Sequence, residues 1–275
     1  MNPTSLTVSL VPEAKGGPFI LWDPLPVACS KAKALGYDAI EIFPPSAEGV
    51  DAAALEKGLK DHGLKLAAMG TGAGAVLRKL TLTSPDPEVR RQGRDFVNSM
   101  IDFAGRYGAP AILGSMQGRW GGPLDKITAI NYLRSALDEF GERAKKAGTT
   151  FLLEPLNRYE GNVVNTIVDA VELIRSLSTR NVTILADLFH MNIEEESIPA
   201  AIRAGGSLIS HVQLADSNRR PAGHGHTDFR TVAASLAAIG YAGYLSAEAL
   251  PWPEPDTAAR LAMDGIRRYF GSPLC

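Results

Sequence analysis

Eight short apolar runs, each followed by a segment of helical period, fill the chain and restrict its fold more than any other feature. The runs are LTVSLV (6–11), YDAIEIF (37–43), KLAAMG (65–70), PAILGS (110–115), TFLLEP (150–155), VTILAD (182–187), ISHVQLA (209–215) and YLSAEAL (244–250). Between them, VACSKAKALG, AAALEKGLKDHG, VRRQGRDFVNSMIDFAGRYG, AINYLRSALDEFGERAKKAG and TIVDAVELIRSL place apolar residues at i, i+3, i+4 and i+7, the period of a helix with one buried face. Gly36, Gly63, Gly108, Gly148 and Gly240 stand where a helix should stop before the next strand, a position at which the backbone turns left-handed and a Cβ would be penalised. Strands alternating with helices imply right-handed crossovers and a parallel sheet. Eight such units, with no linker or low-complexity break in 275 residues, predict an α/β protein with one domain over 1–275, a closed (β/α)8 barrel. A doubly wound open sheet is the alternative, but it calls for a phosphate loop after the first strand, and LVPEAKGGP has the wrong shape for one. GTGAGAV (70–76) fits GxGxxA loosely and leads into VLRKLTLTSPDP, a poor helix start. It is expected to be a flexible loop after the third strand, and no nucleotide cofactor is expected.

A 45% hydrophobic and 21% charged composition is that of an ordinary globular protein, and a chain this long buries a sizeable core without disulfides or structural metal. The formal charge of −2 supplies no field to attract phosphates. Arg90-Arg91 and Arg219-Arg220 are too short to create one, so no nucleic-acid partner is expected. Two cysteines, Cys29 and Cys275, without CxxC or zinc-finger spacing, exclude a disulfide scaffold and point to a reducing cytoplasm. The first residues lack the pattern of a signal peptide, and no apolar run approaches a membrane span. A cytoplasmic protein with no membrane partner is expected.

Active sites of (β/α)8 barrels form at the carboxyl ends of the strands, from several strands at once. Strand five ends on Glu154 before Pro155, strand six on Asp187, strand seven carries Gln213, and strand eight ends on Glu248. Four consecutive strands therefore each present one oxygen-bearing side chain just past an apolar stretch. Three carboxylates at one mouth repel one another and resist ionisation, a conflict that a divalent cation removes. Two glutamates, one aspartate and one amide oxygen, with no thiolate or imidazole, suit Mn2+, with Mg2+ or Co2+ as alternatives, rather than structural zinc. His211 shares a face with Gln213 but lies about 6.6 Å deeper, where a hydrogen bond to a polar group of a neighbouring strand is expected.

Further polar groups follow these strand ends. Arg158 and Glu160 come after strand five, His190 is three residues past Asp187, and Arg219 is six past Gln213. His224 and His226, flanked by glycine, are read as substrate-facing or exposed rather than as a metal pair. The acidic run EEE at 194–196 is read as the opening of a helix, where the dipole favours negative charge. Trp120 and Trp252 are expected to bear on substrate choice.

LLEPLNRYEGN, LADLFHMNIEEE, SHVQLADSNRRPAGHG and YLSAEAL together resemble the xylose-isomerase-like TIM barrel superfamily, and within it the ketose 3-epimerase and hydroxypyruvate isomerase branches. LTLTSPDPEVRRQG is a weaker match to the segment ahead of the third helix in these enzymes. The resemblance covers nearly the whole chain and is most specific from residue 150 onward. It implies that Glu154, Asp187, Gln213 and Glu248 are metal ligands, that Glu154 and Glu248 double as the acid/base pair, and that Glu160, His190 and Arg219 hold the sugar's terminal oxygens. The epimerase branch usually has histidine at the position of Gln213, whereas the hydroxypyruvate isomerase branch has glutamine in a similar HxQxAD motif. PLNRYE, FHMNIEE and NRR look more like the epimerase side. The resemblance also implies pairing of barrels into a homodimer or homotetramer.

The function expected from these readings is a metal-dependent sugar isomerase or epimerase, foremost a ketose 3-epimerase acting on a free ketose through a cis-enediolate. One glutamate would take the proton next to the carbonyl and the other would return it from the opposite face. A hydroxypyruvate-type aldose–ketose isomerase and a keto-sugar lyase or dehydratase are alternatives at the same site. An apurinic-endonuclease-like phosphodiesterase is disfavoured by a total of five histidines and the lack of a basic surface. A non-enzymatic sugar-binding barrel is the remaining class. No phosphate-binding glycine loop follows strand seven or eight, which favours an unphosphorylated sugar.

Overall fold

Each of the eight apolar runs forms a strand in a computed structural model that describes residues 2–271. The strands are β1 (Thr4–Ser9), β2 (Ala39–Phe43), β3 (Lys65–Gly70), β4 (Ala111–Leu113), β5 (Phe151–Leu153), β6 (Val182–Asp187), β7 (Ile209–Leu214) and β8 (Tyr244–Ala247). They pair in parallel and in chain order, and β8 returns to β1 to close the barrel. The helices are α1 (Leu25–Leu35), α2 (Ala52–His62), α3 (Ala73–Arg78), α4 (Pro87–Gly105), α5 (Lys126–Lys146), α6 (Ile167–Arg175), α7 (Leu188–Glu194), α8 (Ile198–Gly205), α9 (Phe229–Ala238) and α10 (Pro255–Phe270). All five glycines expected to end helices are left-handed, with φ between 59° at Gly63 and 89° at Gly36. Among the described residues, no helix is long and apolar enough to cross a membrane. Cys29 is a buried free thiol; Cys275 lies outside the described residues.

Two local expectations fail. GTGAGAV is not a loop, because its second half opens α3; buried Ala73 and Gly74 fit against the β4 connection, where a Cβ at Gly74 would collide with Met116. Packing outweighs the missing start signal. The run EEE does not open a helix either: Glu194 closes α7 and Glu195 is its C-cap. The acidic charge serves a different helix, since the Glu195 carboxylate accepts the backbone N–H of Ile167, the first residue of α6, at 2.7 Å. The favourable dipole pairing exists, but across space.

Strand alternation sorts the barrel into two environments. Leu6, Val8, Ile40, Ile42, Ile184, Val212 and Leu245 belong to the large core between barrel and helices. A separate small cluster, Ala68, Ile112, Leu152 and Leu185, fills the β3–β6 half of the interior. The other half is polar, with buried Thr7, Glu41, His211 and Gln213 from β1, β2 and β7. The β2–β3 and β6–β7 registers each slip, passing over Ala67 and Ser210. Such bulges re-aim the following side chains, and Ser210 immediately precedes His211.

Candidate active site

A cavity of about 400 Å³ opens at the carboxyl ends of the strands, and Glu154, Glu160, His190, Gln213, Arg219 and Glu248 line it. Asp187, the remaining predicted site residue, joins this set through its contacts with His190 and Arg219. Its position follows from local structure. Asp187 ends β6 and caps α7, with Oδ1 accepting the backbone N–H of Phe189 at 2.8 Å. That leaves Oδ2 to face His190 Nε2 at 3.4 Å and Arg219 at 3.9 Å.

Glu154 continues the β5 pairing by one residue, its N–H donating to Leu113 O at 3.0 Å before Pro155 ends the strand. Its Oε1 lies 3.5 Å from His190 Nε2. Glu154, Asp187 and His190 each bring one polar atom within 4.8 Å of the others. An imidazole nitrogen therefore stands against the expected oxygen-only set, within reach of two of its carboxylates. The Asn157 side-chain amide lies 2.7 Å from His190 Nδ1, and the Asn157 backbone N–H donates to the same atom at 3.3 Å. Asn157 Oδ1 accepts the backbone N–H groups of Tyr159 and Glu160, which fixes Nδ2 as the atom facing the ring. With two donors on Nδ1, the neutral ring carries its proton on Nε2, toward the carboxylates.

Glu160 Oε1 accepts from Arg219 Nη1 at 2.8 Å and from Asn157 Nδ2 at 3.0 Å. Arg219 adopts a left-handed φ of 60° at the tip of the β7 loop and covers the Phe189 ring at 4.5 Å. The loop is stapled by Asp216, whose carboxylate accepts backbone N–H groups from Ser217, Gly223 and Thr227.

The electrostatics of the site follow from burial and mutual repulsion. Burial, then the charges of Asp187 and Glu154, push the Glu248 carboxyl well above the usual glutamate range. Burial also raises Glu154, with His190 opposing. Burial disfavours a charged His190, but Asp187 and Glu154 outweigh it and raise that group. Burial would raise Glu41 as well, yet His211 and the hydrogen bonds it receives hold it below its ordinary value. Glu248 Oε2 and Gln213 Oε1 are fully buried and have no hydrogen-bond partner among the described residues. Two orphaned buried oxygens beside the Glu154 and Asp187 carboxylates fit a divalent cation, because burial without a partner is costly and a cation supplies one. Here the residues present and the implied metal agree.

Gly114, just past β4, makes room for this arrangement: a Cβ there would fall inside contact distance of Glu154 Oε2. The colliding atom is the end of a flexible side chain, so Gly114→Ala is expected to leave the melting temperature nearly unchanged while displacing the carboxylate. An activity loss of about 100-fold is expected, the scale for a misplacement of about 1 Å. Equal activity in the two proteins would show that Glu154 does not need its observed position.

Several residues differ from expectation. His211 does make a hydrogen bond, but its partner is Glu41 on β2, across the barrel, at 2.7 Å. Arg158 turns away from the cavity to pair with Glu194 at 2.9 Å. Exposed His224 and His226 do not line the cavity, and neither do Trp120 and Trp252: Trp120 Nε1 donates to Asn162 O, and Trp252 lies under Arg220. The aromatic wall comes instead from Phe19 and Phe43, stacked 4.5 Å apart. Glu41, Phe43, Asn157 and Gly114 escaped sequence reasoning. The signal for the first two was the alternation in AIEIF, which sets Glu41 and Phe43 on the face opposite Ile40 and Ile42.

A family model for the xylose isomerase-like TIM barrel matches residues 29–269. A D-psicose 3-epimerase of Agrobacterium fabrum is 31% identical over 239 residues, 84% of this chain and 78% of that protein. An L-ribulose 3-epimerase of Mesorhizobium japonicum is 33% identical over 217 residues, 78% of this chain and 71% of that one. A crystal structure of a D-psicose 3-epimerase in the presence of D-fructose superposes with a TM-score of 0.81 at 25% identity, covering 99% of this chain and 100% of the other.

Proposed function

The chain belongs to the xylose isomerase-like TIM barrel family, and from that premise we propose that it is a divalent-metal-dependent ketose 3-epimerase acting on a free sugar. The observation that carries this reading is the pair of glutamates lining one cavity at the non-adjacent strand ends of β5 and β8, partly buried Glu154 and buried Glu248. Two carboxyl groups reaching a substrate from different sides are what inversion at carbon requires. One removes the proton next to the carbonyl, and the other delivers a proton to the opposite face.

Glu154, Asp187, Gln213 and Glu248 are the proposed ligands of a single Mn2+, with Mg2+ or Co2+ as alternatives. The bound cation would supply the positive charge that polarises the ketone and stabilises negative charge on the substrate oxygens. His190 Nε2–H, Glu160 and Arg219 bind sugar hydroxyls, with Asn157 fixing the first two. Arg219 and Lys15 are the cations lining the cavity, and Arg219 is already met by Glu160 and Asp187. That supports a neutral sugar rather than a phosphorylated one. A cytoplasmic location and a homodimer or homotetramer complete the proposal, resting on cysteine usage and on the sequence resemblance.

Incubation with Mn2+ and a panel of ketoses in heavy water tests the reaction. Deuterium at C3, with a product of unchanged formula inverted at that carbon, is the expected result. An aldose product would establish aldose–ketose isomerisation, loss of water or cleavage would establish a lyase, and no exchange with any ketose would favour a binding protein.

A further inference from the structure

Glu41 sits on β2, which β1 and β8 separate from β7. It is 4% exposed and uses both carboxylate oxygens on β7 side chains. Oε1 accepts from Gln213 Nε2 at 2.6 Å, and Oε2 lies 2.7 Å from His211 Nε2. A carboxylate only accepts, whereas a primary amide offers an NH2 at one corner and an oxygen at the other. Glu41 therefore obliges Gln213 to spend its NH2 across the barrel and to turn Oε1 elsewhere. That oxygen is the one left buried without a partner.

The opposite orientation has its own attraction. Gln213 lines the same cavity as Glu154 and Glu248, with Asp187 its register partner on β6. Three carboxylates are acceptors, so an unrestrained amide would turn its NH2 toward them and present no oxygen to a cation.

We propose that Glu41 is a positioning residue that pins the Gln213 amide with its oxygen directed to the cation, and that His211 holds Glu41 in that role. The inference rests on the reading of Gln213 as a metal ligand. It also accounts for two buried polar residues one layer apart on β7, His211 and Gln213, which share a single carboxylate partner.

Calorimetric titration of the metal-free full chain with Mn2+ tests this, alongside melting temperatures measured in chelator and the Co2+ absorption spectrum of each protein. Glu41→Gln is expected to weaken Mn2+ binding by about 10- to 100-fold and to change the Co2+ spectrum, the scale found when outer partners of metal ligands are removed. In Glu41→Gln/Gln213→Glu the amide and the carboxylate exchange places. The new amide can still donate to the new carboxylate, which keeps an oxygen for the cation, so affinity should return to the wild-type level or better. A folded Glu41→Gln with a Kd within about twofold of wild type overturns the proposal, as does a folded exchange variant that binds as weakly as the single one. If Glu41→Gln does not fold, the exchange variant decides alone, and failure of both to fold assigns Glu41 a purely structural role and overturns the proposal. Wild-type protein that does not bind Mn2+ would instead sink the metal site itself, a distinct outcome visible in the first titration.

Discussion

Glu248→Gln is expected to cut turnover by about 10²- to 10⁴-fold, the range for loss of a positioned acid–base group, while raising the melting temperature of the metal-free protein. The two effects have one cause. Glu248 is buried, its Oε2 lacks a partner, and burial together with Asp187 and Glu154 resists its ionisation. A neutral amide of the same shape relieves that repulsion but can neither take nor return a proton. Glu154→Gln should lose turnover to a similar extent with a smaller gain in stability, because Glu154 already has His190 beside it. Turnover near wild type in both variants would remove the acid/base assignment, and a lower metal-free melting temperature for Glu248→Gln would contradict the electrostatic account.

Removal of divalent ions should abolish epimerisation, with recovery on adding Mn2+, and the pH dependence of stability should change with it. Glu248 and Glu154, and likewise His190, have raised affinities for protons in the folded state. In the window above the ordinary values of about 4.3 for glutamate and 6.5 for histidine, the folded chain binds more protons at these groups than the unfolded chain does. Stability then falls as pH rises through that window. Glu41, Glu160 and Asp216 are lowered and act in the opposite sense. Their contribution is present above the ordinary carboxylate values and is lost as pH falls through their depressed ones. The metal-free protein should therefore melt highest in mild acid, and Mn2+ should raise its melting temperature more at about pH 8 than at about pH 6, since ligands must be deprotonated to bind. A melting temperature that rises with pH without metal would refute this balance.

Much of this architecture is legible one strand at a time. The alternation of β-branched runs with helical segments identifies eight units, and in a barrel whose strands neighbour one another in chain order, locating the units already locates the pairings. Glu154, Asp187, Gln213 and Glu248 were visible because each follows an apolar stretch at the end where such barrels carry chemistry. His190, three residues past Asp187, comes beside it because α7 starts directly after β6. Less legible is a residue whose surroundings come from distant chain. In the acidic run 194–196, Glu195 serves a helix to which it does not belong, because its partner, Ile167, lies on α6. Trp120 and Trp252 lie off the cavity, whose aromatic lining is Phe19 and Phe43.

Fold class, strand order and the placing of Glu154, Asp187, Gln213 and Glu248 at consecutive strand ends are written in the chain, since these depend on periodicities of two and 3.6 residues and on position within a strand. The meeting of Glu41 with Gln213 and His211, 172 and 170 positions away in the chain, comes from the folded barrel alone. That contact exists because the barrel closes, so that β2 and β7 face one interior. The orientation of the Gln213 amide is set by this non-local contact, of which local sequence carries no record.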